Sequence, residues 1–250
     1  MIKPYYQQGG ITIYWGNCLE IMPQLAGPMH AIIADIPYGT TACSWDTVIP
    51  FAPMWDQIKR LITPRGATVL FGTQPFTSSL VMSNPKWFRH HWIYEKTKAT
   101  NYVKAQHMPM RYHEDVLVFA SEGVTYTPQM TKGSAYTKTQ RGGNKETSFL
   151  RDTRSNGHIT HREDRYPSSI IRFRKDVNQL HATQKPLELM SYLILTYSQP
   201  GDLILDFTMG SGTTLAAAKL LGRQAIGIDL LKVNCDIAID RLQQETMVLL

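Results

Sequence analysis

The sequence contains few cysteines and no long apolar run, and these two absences argue against several classes of protein. Its 250 residues include three cysteines, Cys18, Cys43 and Cys235, and none of them stands in a C-x-x-C pair. This argues against a disulfide scaffold and against a cysteine zinc site. No stretch reaches the ~18 apolar residues that a membrane-spanning helix needs, and the first ten residues contain no apolar signal core. We therefore expect a soluble cytoplasmic protein without a metal and without a membrane partner.

Acidic residues are scarce in one segment of the chain. The whole sequence has 26 Lys and Arg against 20 Asp and Glu, a formal net charge of +6. Residues 132–175 hold eleven of the basic side chains and only four of the acidic ones, so this segment alone carries +7. Tyr136, Phe149, Tyr166 and Phe173 are interspersed among the basic residues. The pattern suits contacts with nucleic-acid phosphates, and a solvated basic loop is the alternative interpretation.

Hydrophobic patterning on both sides of the basic segment alternates between strand and helix periods. Strands are predicted at residues 11–15, 30–35, 67–71, 91–94, 116–120, 203–206 and 225–229. Helices are predicted at residues 51–62, 76–82, from Pro186 onward, 213–221 and 233–244. Strands separated by helices indicate an α/β fold with a largely parallel sheet.

The segment 121–180 shows neither period over any sustained length and is rich in turn residues. It is therefore predicted to be an insertion, with residues 1–120 and 181–250 forming one domain around it.

A glycine-containing loop follows the predicted strand 203–206. Asp206 ends the strand, and the loop runs through Gly210 and Gly212 into a helix, while Asp229 ends the next strand. Such loops bring the backbone close to a ligand, and an acid one unit later can accept hydrogen bonds from a ribose. No lysine follows Gly212, as a Walker A loop requires, and Leu215 stands where a dinucleotide fingerprint has its third glycine. These two mismatches favour a nucleoside ligand without a pyrophosphate, and a structural glycine turn is the alternative for this loop taken alone.

A second motif, Asp35-Ile36-Pro37-Tyr38, follows another buried strand. An exocyclic amino group of a nucleobase is a poor nucleophile because its lone pair is delocalised into the ring. The Asp35 carboxylate and the Ile36 carbonyl can accept its two N–H bonds, while Pro37 fixes the backbone φ angle. Tyr38 offers a flat face on which an extruded base can stack. An Asp-x-Pro turn with a surface tyrosine is the alternative for this motif taken alone.

The two motifs, in this order, resemble those of amino-group DNA methyltransferases that use S-adenosylmethionine, in the beta class of that family. Asp35–Tyr38 is similar to their Asp-Pro-Pro-Tyr motif, with Ile36 in place of the first proline, and Asp206–Thr214 is similar to their cofactor loop. Residues 181–186, His-Ala-Thr-Gln-Lys-Pro, resemble an element that closes over the methionine end of the cofactor.

Two further segments extend the resemblance over most of the chain outside 121–180. Residues 16–20 are similar to a Gly-Asp-Cys-Leu-Glu element near the cofactor adenine, with Asn17 in place of the aspartate. Trp92–Lys96 with Arg111–Phe119 resembles the strand pair behind the target-base pocket. The resemblance implies a Rossmann-like methyltransferase fold, with a mostly parallel mixed sheet, helices on both faces and an inserted target recognition region at 121–180.

The resemblance also implies a function and a set of site residues. A methyl group would pass from S-adenosylmethionine to the exocyclic amino group of a flipped base in double-stranded DNA. The aspartate at the head of the motif favours adenine N6, with cytosine N4 as the alternative. The implied catalytic residues are Asp35, Ile36, Pro37 and Tyr38. The implied cofactor-binding residues are Asn17, Cys18, Asp35, Thr183, Lys185, Asp206, Thr208, Gly210, Ser211, Gly212, Thr213 and Asp229. The candidate DNA-binding residues are Lys138, Arg141, Lys145, Arg151, Arg154, Arg162, Arg165, Arg172 and Arg174.

Several alternatives stay open at the level of sequence. An RNA methyltransferase could share both motifs, and a non-catalytic DNA-binding specificity module could keep the same fold. The chain could act as a monomer or as a homodimer. The sequence does not indicate which DNA site is recognised, or which arginines contact bases and not phosphates.

Overall fold

The computed structural model describes residues 2–40, 43, 46–139, 159–176 and 184–247. The chain folds as two compact units, one formed by Met1–Thr127 with Ser169–Leu250 and the other by Pro128–Ser168. The smaller unit lies within the segment 121–180 that the sequence marks as an insertion. The assignment of that segment to target recognition stays a prediction.

The larger unit contains nine strands and six helices in its described residues. The strands are β1 (Tyr6–Gln8), β2 (Ile11–Trp15), β3 (Met29–Ala34), β4 (Ile62–Gly72), β5 (Phe88–Thr100), β6 (Arg111–Phe119), β9 (Ile170–Phe173), β10 (Leu203–Asp206) and β11 (Gln224–Asp229). The helices are α1 (Cys18–Ile21), α2 (Phe51–Leu61), α3 (Phe76–Ser83), α4 (Leu187–Tyr197), α5 (Thr213–Leu220) and α6 (Lys232–Met247). The smaller unit contains β7 (Thr131–Thr139) and β8 (Ile159–Arg165), which pair antiparallel.

The strands of the larger unit form one sheet in the order β1-β2-β11-β10-β3-β4-β6-β5-β9. The five strands from β2 to β4 in this order are mutually parallel, while β1 and β6 run antiparallel to their neighbours. The predicted α/β class with a mostly parallel mixed sheet is thus confirmed. From β3 the chain proceeds to β4 on one side, and from β10 it proceeds to β11 on the other. Ligands bind at such a switch point, outside the carboxyl ends of the strands.

The core lies on both faces of this sheet because successive side chains of a strand point to opposite faces. In β3, Ala31 and Ile33 pack with the buried sides of α4, α5 and α6. Ile32 and Ala34 pack on the other face with α1, α2 and α3. All four side chains are fully buried, which explains why the strand reads as a continuous apolar run.

The start of helix α4 is stabilised by a side chain that accepts the first backbone N–H of the helix. Pro186 occupies the N-cap position, and the carboxylate of Asp176 accepts the backbone N–H of Leu187 at 3.2 Å. Gln184 donates its side-chain amide to the same carboxylate at 2.7 Å. These contacts fix the residues just before α4, including Lys185, against the end of the sheet.

The elements that the sequence analysis missed are short or polar. Strand β1 and helix α1 have only three and four residues. Strand β9 falls inside the predicted insertion, yet it pairs with β5 and buries Ile171 in the core of the larger unit. Strands β5 and β6 extend well beyond the predicted residues 91–94 and 116–120 because their polar halves pair with each other.

Candidate active site

The two sequence motifs meet at one cavity of about 590 Å³ at the carboxyl ends of β3 and β10. Most of the predicted site residues line it, namely Asn17, Cys18, Asp35, Ile36, Pro37, Tyr38, Lys185, Asp206, Thr208, Gly210, Ser211, Thr213 and Asp229. Thr183 lies outside the described residues, and Gly212 is not among the described residues that line the cavity. The sheet topology therefore joins residues that are about 170 positions apart in the chain.

The Asp35 carboxylate is held by two donors. The Tyr38 hydroxyl donates to Asp35 Oδ1 at 2.6 Å, and the Lys185 ammonium donates to Asp35 Oδ2 at 2.5 Å. The Tyr38 ring packs against Phe76, with centroids 5.2 Å apart. Burial, together with the nearby charges of Asp35 and Glu114, raises the pKa of Tyr38 well above its ordinary value. Tyr38 therefore keeps its proton and acts as a donor to Asp35.

The backbone that follows the motif is bound by a carboxylate that the sequence analysis did not identify. Asp46 Oδ1 accepts the backbone N–H groups of Tyr38 and Gly39, each at 2.9 Å. Asp46 Oδ2 accepts the N–H of Thr40 at 2.9 Å. Asp46 itself is buried. Three consecutive amides thus converge on one anion, and charge-assisted hydrogen bonds of this kind are stronger than neutral ones.

A cluster of buried charges lies behind Asp35. Lys185 Nζ lies 3.1 Å from Glu114 Oε2, and Lys96 Nζ lies 3.1 Å from Glu114 Oε1. Burial by itself would raise the pKa of Glu114, but the two ammonium groups outweigh it and hold this pKa at about 2. Burial by itself would lower the pKa of Lys185, but Asp35 and Glu114 raise it above its ordinary value. Lys185 therefore carries its positive charge at neutral pH, which makes it a poor base.

The glycine loop is tied to the catalytic motif by a hydroxyl group. Thr208 donates its hydroxyl to the Asp35 carbonyl at 3.1 Å. The Asp206 carboxylate accepts the Thr208 N–H at 3.1 Å and the Thr214 hydroxyl at 2.5 Å. The position of one loop consequently constrains the position of the other.

Asp229 organises the far end of the glycine loop. Its Oδ2 accepts the Gly210 N–H at 2.9 Å, and its Oδ1 accepts the Leu231 N–H at 2.8 Å and the Asn234 side-chain amide at 3.0 Å. These hydrogen bonds fix the Asp229 carboxylate in the wall of the cavity.

Two glycines permit the close packing of this loop. Gly212 has a φ of +75°, and a Cβ there would lie 2.7 Å from the Cβ of Ala238. Gly227, in β11, lies beneath the loop, where a Cβ would come 2.3 Å from the Met209 sulfur. Both positions exclude a side chain. Gly212 therefore shapes the loop through packing against α6.

The predicted adenine-side residues begin helix α1. The Asn17 side-chain oxygen accepts the Leu19 N–H at 3.0 Å and thereby caps this helix. Burial raises the pKa of the Cys18 thiol to about 11, so this cysteine is an unreactive thiol in the cavity wall. Both residues line the cavity, and their assignment to cofactor binding stays a prediction.

The buried carboxyl of Asp206 gives a pH prediction. Burial raises its pKa to about 7, against hydrogen bonds from Thr214 and Thr208 that lower it. The native state then binds this proton more tightly than the unfolded state, whose pKa is about 3.9. The proton on Asp206 therefore adds to the free energy of unfolding. This contribution is fully present below about pH 4, falls by up to about 1.4 kcal/mol per pH unit above it, and is lost as the pH rises through about 7.

Asp206→Asn should remove this dependence, so the variant should gain stability relative to the wild type as the pH rises from 5 to 8. Urea unfolding at four pH values in this interval measures the difference, with the exposed substitution Asp240→Asn as control. Parallel profiles for Asp206→Asn and the wild type would contradict the raised pKa.

The candidate DNA-binding residues are only partly described. Arg165 donates to the Ser134 carbonyl within the smaller unit, Arg172 donates to the Glu95 carboxylate between β9 and β5, and Arg174 is exposed. Lys138 and Arg162 lie on β7 and β8 without described side chains. Arg141, Lys145, Arg151 and Arg154 lie outside the described residues. These nine assignments remain predictions.

The cavity also contains residues that the sequence analysis had not assigned a role. Besides Asp46, they include Tyr94, Lys96, Thr100, Arg111 and Glu114, all on or next to β5 and β6. In the sequence, the only indication of this region is that the two strands resemble the strand pair behind the target-base pocket of the amino-group DNA methyltransferases. Within the described residues there is no group of three His, Cys, Asp or Glu side chains arranged to hold a metal ion, and no helix is long and apolar enough to cross a membrane.

A comparison with known families identifies this arrangement. The DNA methylase family of N6 and N4 methyltransferases matches residues 29–240, which include both motifs. The chain belongs to this family. It is therefore an amino-group DNA methyltransferase, and both adenine N6 and cytosine N4 are compatible with the family.

Individual relatives of the methylase agree with this assignment. It is 25% identical over 240 residues to the type II methyltransferase M1.MboII of Moraxella bovis, covering 87% of this chain and 91% of that protein. The crystal structure of the M1.HpyAVI–SAM complex matches with a TM-score of 0.62 and 23% identity, over 93% of this chain and 100% of that one. The PvuII DNA methyltransferase, described as cytosine-N4-specific, matches with a TM-score of 0.69 and 13% identity, over 96% of this chain and 88% of that one. At these identities the two solved structures show the shared fold alone.

Proposed function

We propose that this methylase transfers a methyl group from S-adenosylmethionine to the N6 amino group of adenine in double-stranded DNA. The observation that carries the proposal is the single cavity in which the Asp35 motif and the Asp206–Thr214 loop are joined through Thr208. The aspartate at position 35 supports adenine by its resemblance to the adenine-specific members of the class.

The cavity fits S-adenosylmethionine by the chemistry of its donor set. Asp206 and Asp229 place oxygen acceptors in the wall, which suits a ligand with ribose hydroxyl groups, and a cationic sulfonium would favour the ionised form of the Asp206 carboxyl. Asn17 and the backbone of Gly210 lie in the same wall. When bound, the cofactor supplies an electrophilic methyl group. This fit agrees with the bound SAM of the structural relative M1.HpyAVI.

The residues of this chain act mainly by orientation. Asp35 Oδ2 accepts from Lys185, but a carboxylate oxygen has two lone pairs and can accept an amino N–H in addition. The Ile36 carbonyl accepts the second N–H of the same amino group. The amino nitrogen is thereby turned with its lone pair toward the methyl donor, and placement of two reactants is a large source of rate. The positive charge of Lys185 lies beside Asp35 and favours its ionised form.

Asp46 holds the backbone on which this orientation depends. Asp46→Asn replaces one acceptor oxygen by an NH₂ group that faces a backbone N–H, so at least one of the three bonds to residues 38–40 is lost. We expect kcat to fall about 10- to 100-fold, since a displacement of ~1 Å in a reacting group can cost this much. The Kd for S-adenosylmethionine should change less than about threefold.

Steady-state kinetics and calorimetry measure these two effects of Asp46→Asn. The exposed substitution Asp240→Asn serves as control, because it makes the same chemical change away from the cavity. An unchanged kcat in Asp46→Asn would show that the three hydrogen bonds do not position the catalytic motif.

The function is tested by nucleoside mass spectrometry of DNA from a methylase-free host that expresses the protein. N6-methyladenine that appears with the wild type and is absent with Asp35→Ala supports the proposal. N4-methylcytosine would keep the site and change the base, whereas a modified base in RNA alone, or no modified base, would contradict the proposal. Long-read sequencing of the same DNA then identifies the recognised site.

A further inference from the structure

The connection between β5 and β6 exposes apolar side chains that have no role in the proposed chemistry. This segment, Asn101–Met110, is named here the hairpin tip. Tyr102 and Val103 are 76% and 80% exposed, and Met108 and Met110 are also exposed. Large exposed apolar groups clustered at one place on a surface indicate a binding partner.

The hairpin tip is a folded element. Its backbone forms a short 3₁₀ turn over Tyr102–Lys104, and the N–H groups of Lys104 and Met108 donate to carbonyls within the tip. Asn101 adopts a left-handed φ of +69° and donates its side-chain amide to the Met108 sulfur at 3.1 Å. The exposed side chains are thus presented on a defined scaffold, which lowers the entropic cost of binding.

The charge of the hairpin tip and of the residues beside it indicates what kind of partner it binds. The hairpin tip contains no Asp or Glu, and Lys104 within it, Lys98 before it and Arg111 after it are basic. Lys98 and Lys104 are exposed. Exposed lysines next to exposed apolar side chains are complementary to the anionic backbone and stacked bases of DNA.

The place of the hairpin tip links it to the reacting base. Thr100, which precedes the tip, and Arg111, which follows it, both line the cavity that contains Asp35. The two residues that flank the hairpin tip therefore belong to the wall of the catalytic cavity, and the tip lies at its edge. A base that is flipped into this cavity leaves a gap in the stack of the duplex at the same rim.

We propose that the hairpin tip enters duplex DNA and that Tyr102, next to Val103, fills the gap left by the flipped base. This inference rests on the proposed function and adds to it the element that stabilises the opened duplex. A flat aromatic ring can stack on the neighbouring bases, and apolar side chains inserted between base steps are used in this way by DNA-bending proteins.

The experiment compares two duplexes that carry the recognised site. One is fully paired, and the other has an abasic residue opposite the target base, so that its flipping costs less. On the paired duplex, Tyr102→Ala should lower kcat/KM at least about tenfold, and on the abasic duplex less than about threefold. Tyr102→Phe keeps the ring and should stay within about threefold of the wild type on both duplexes.

Met82→Ala is the matched control, because Met82 is an equally exposed apolar residue on α3, outside the hairpin tip. Equal losses on both duplexes, or no loss for Tyr102→Ala on either, would overturn the proposal; the latter result would leave this surface to a protein partner. A wild-type protein that methylates neither duplex would instead contradict the proposed function itself.

Discussion

Asp35→Ala should lower the methylation rate at least about 100-fold, the cost typical of removing a preorganised polar group that contacts the reacting atoms. The acceptor for the amino N–H is lost, while Lys185 retains its contact with Glu114 and so remains neutralised. The carbonyl of residue 35, which Thr208 contacts, is unaffected by the substitution. The Kd for S-adenosylmethionine should consequently stay within about tenfold, or ~1.4 kcal/mol.

Single-turnover methylation and calorimetric titration of the cofactor measure the two effects of Asp35→Ala. Asp56→Ala is the matched control, because Asp56 is exposed on α2. Retained turnover in Asp35→Ala would contradict the role of this carboxylate. A large loss of cofactor affinity would show that Asp35 acts mainly in the cofactor site.

Lys185→Met should have the largest effect on stability. The substitution leaves the carboxylates of Asp35 and Glu114 in a largely buried site without the cation that lies between them. Breaking a buried ion pair in this way costs about 3 kcal/mol of the free energy of unfolding, at the low end of the range because Asp35 keeps some exposure. The pKa of Glu114 should rise from about 2, so the loss of stability should shrink as the pH falls.

A double variant separates stability from catalysis in this charge cluster. After Lys185→Met, Glu114 keeps Lys96 as a partner, whereas Asp35 has lost its cation. Adding Glu114→Gln lowers the negative charge near Asp35 but leaves the buried Lys96 without its carboxylate, so the double variant should be no more stable than Lys185→Met. Methylation by both the single and the double variant should be slower than by the wild type, because neither has a cation beside Asp35. Urea unfolding and initial rates for both variants test this, and Lys96→Met shows the effect of the other cation on Glu114. Full activity in the double variant would exclude a role for Lys185.

The sequence predicts the centre of the fold well because local patterning determines it. Strands β2 and β10 have the predicted bounds, since each is a short apolar run that ends at turn residues. Asp35 and Asp206 were found by their place at strand ends, which parallel topology brings to one edge of the sheet. The predicted α/β class follows from the same alternation.

Other parts of the site depend on contacts that no local pattern records. Asp46 acts through three backbone amides, and its loop has no regular period. Glu114 and Lys96 form their ion pair only because β5 and β6 lie side by side, and each residue alone reads as an ordinary polar position in a strand. The resemblance assigns Lys185 to the cofactor, which stays a prediction, and only the structure shows that its ammonium donates to Asp35.

The order of strands in the sheet has a consequence for biosynthesis. Strands β10 and β11 follow the other described strands of this sheet in the chain, yet they lie between β2 and β3, near the middle of the sheet. Until the ribosome releases them, β2 and β3 each present an open edge to the surroundings, and such edges favour pairing with other chains. The half of the cavity that contains Asp206 and Asp229 therefore cannot form until residues 203–229 have been synthesised. A chain that ends before residue 203 would lack that half of the cavity.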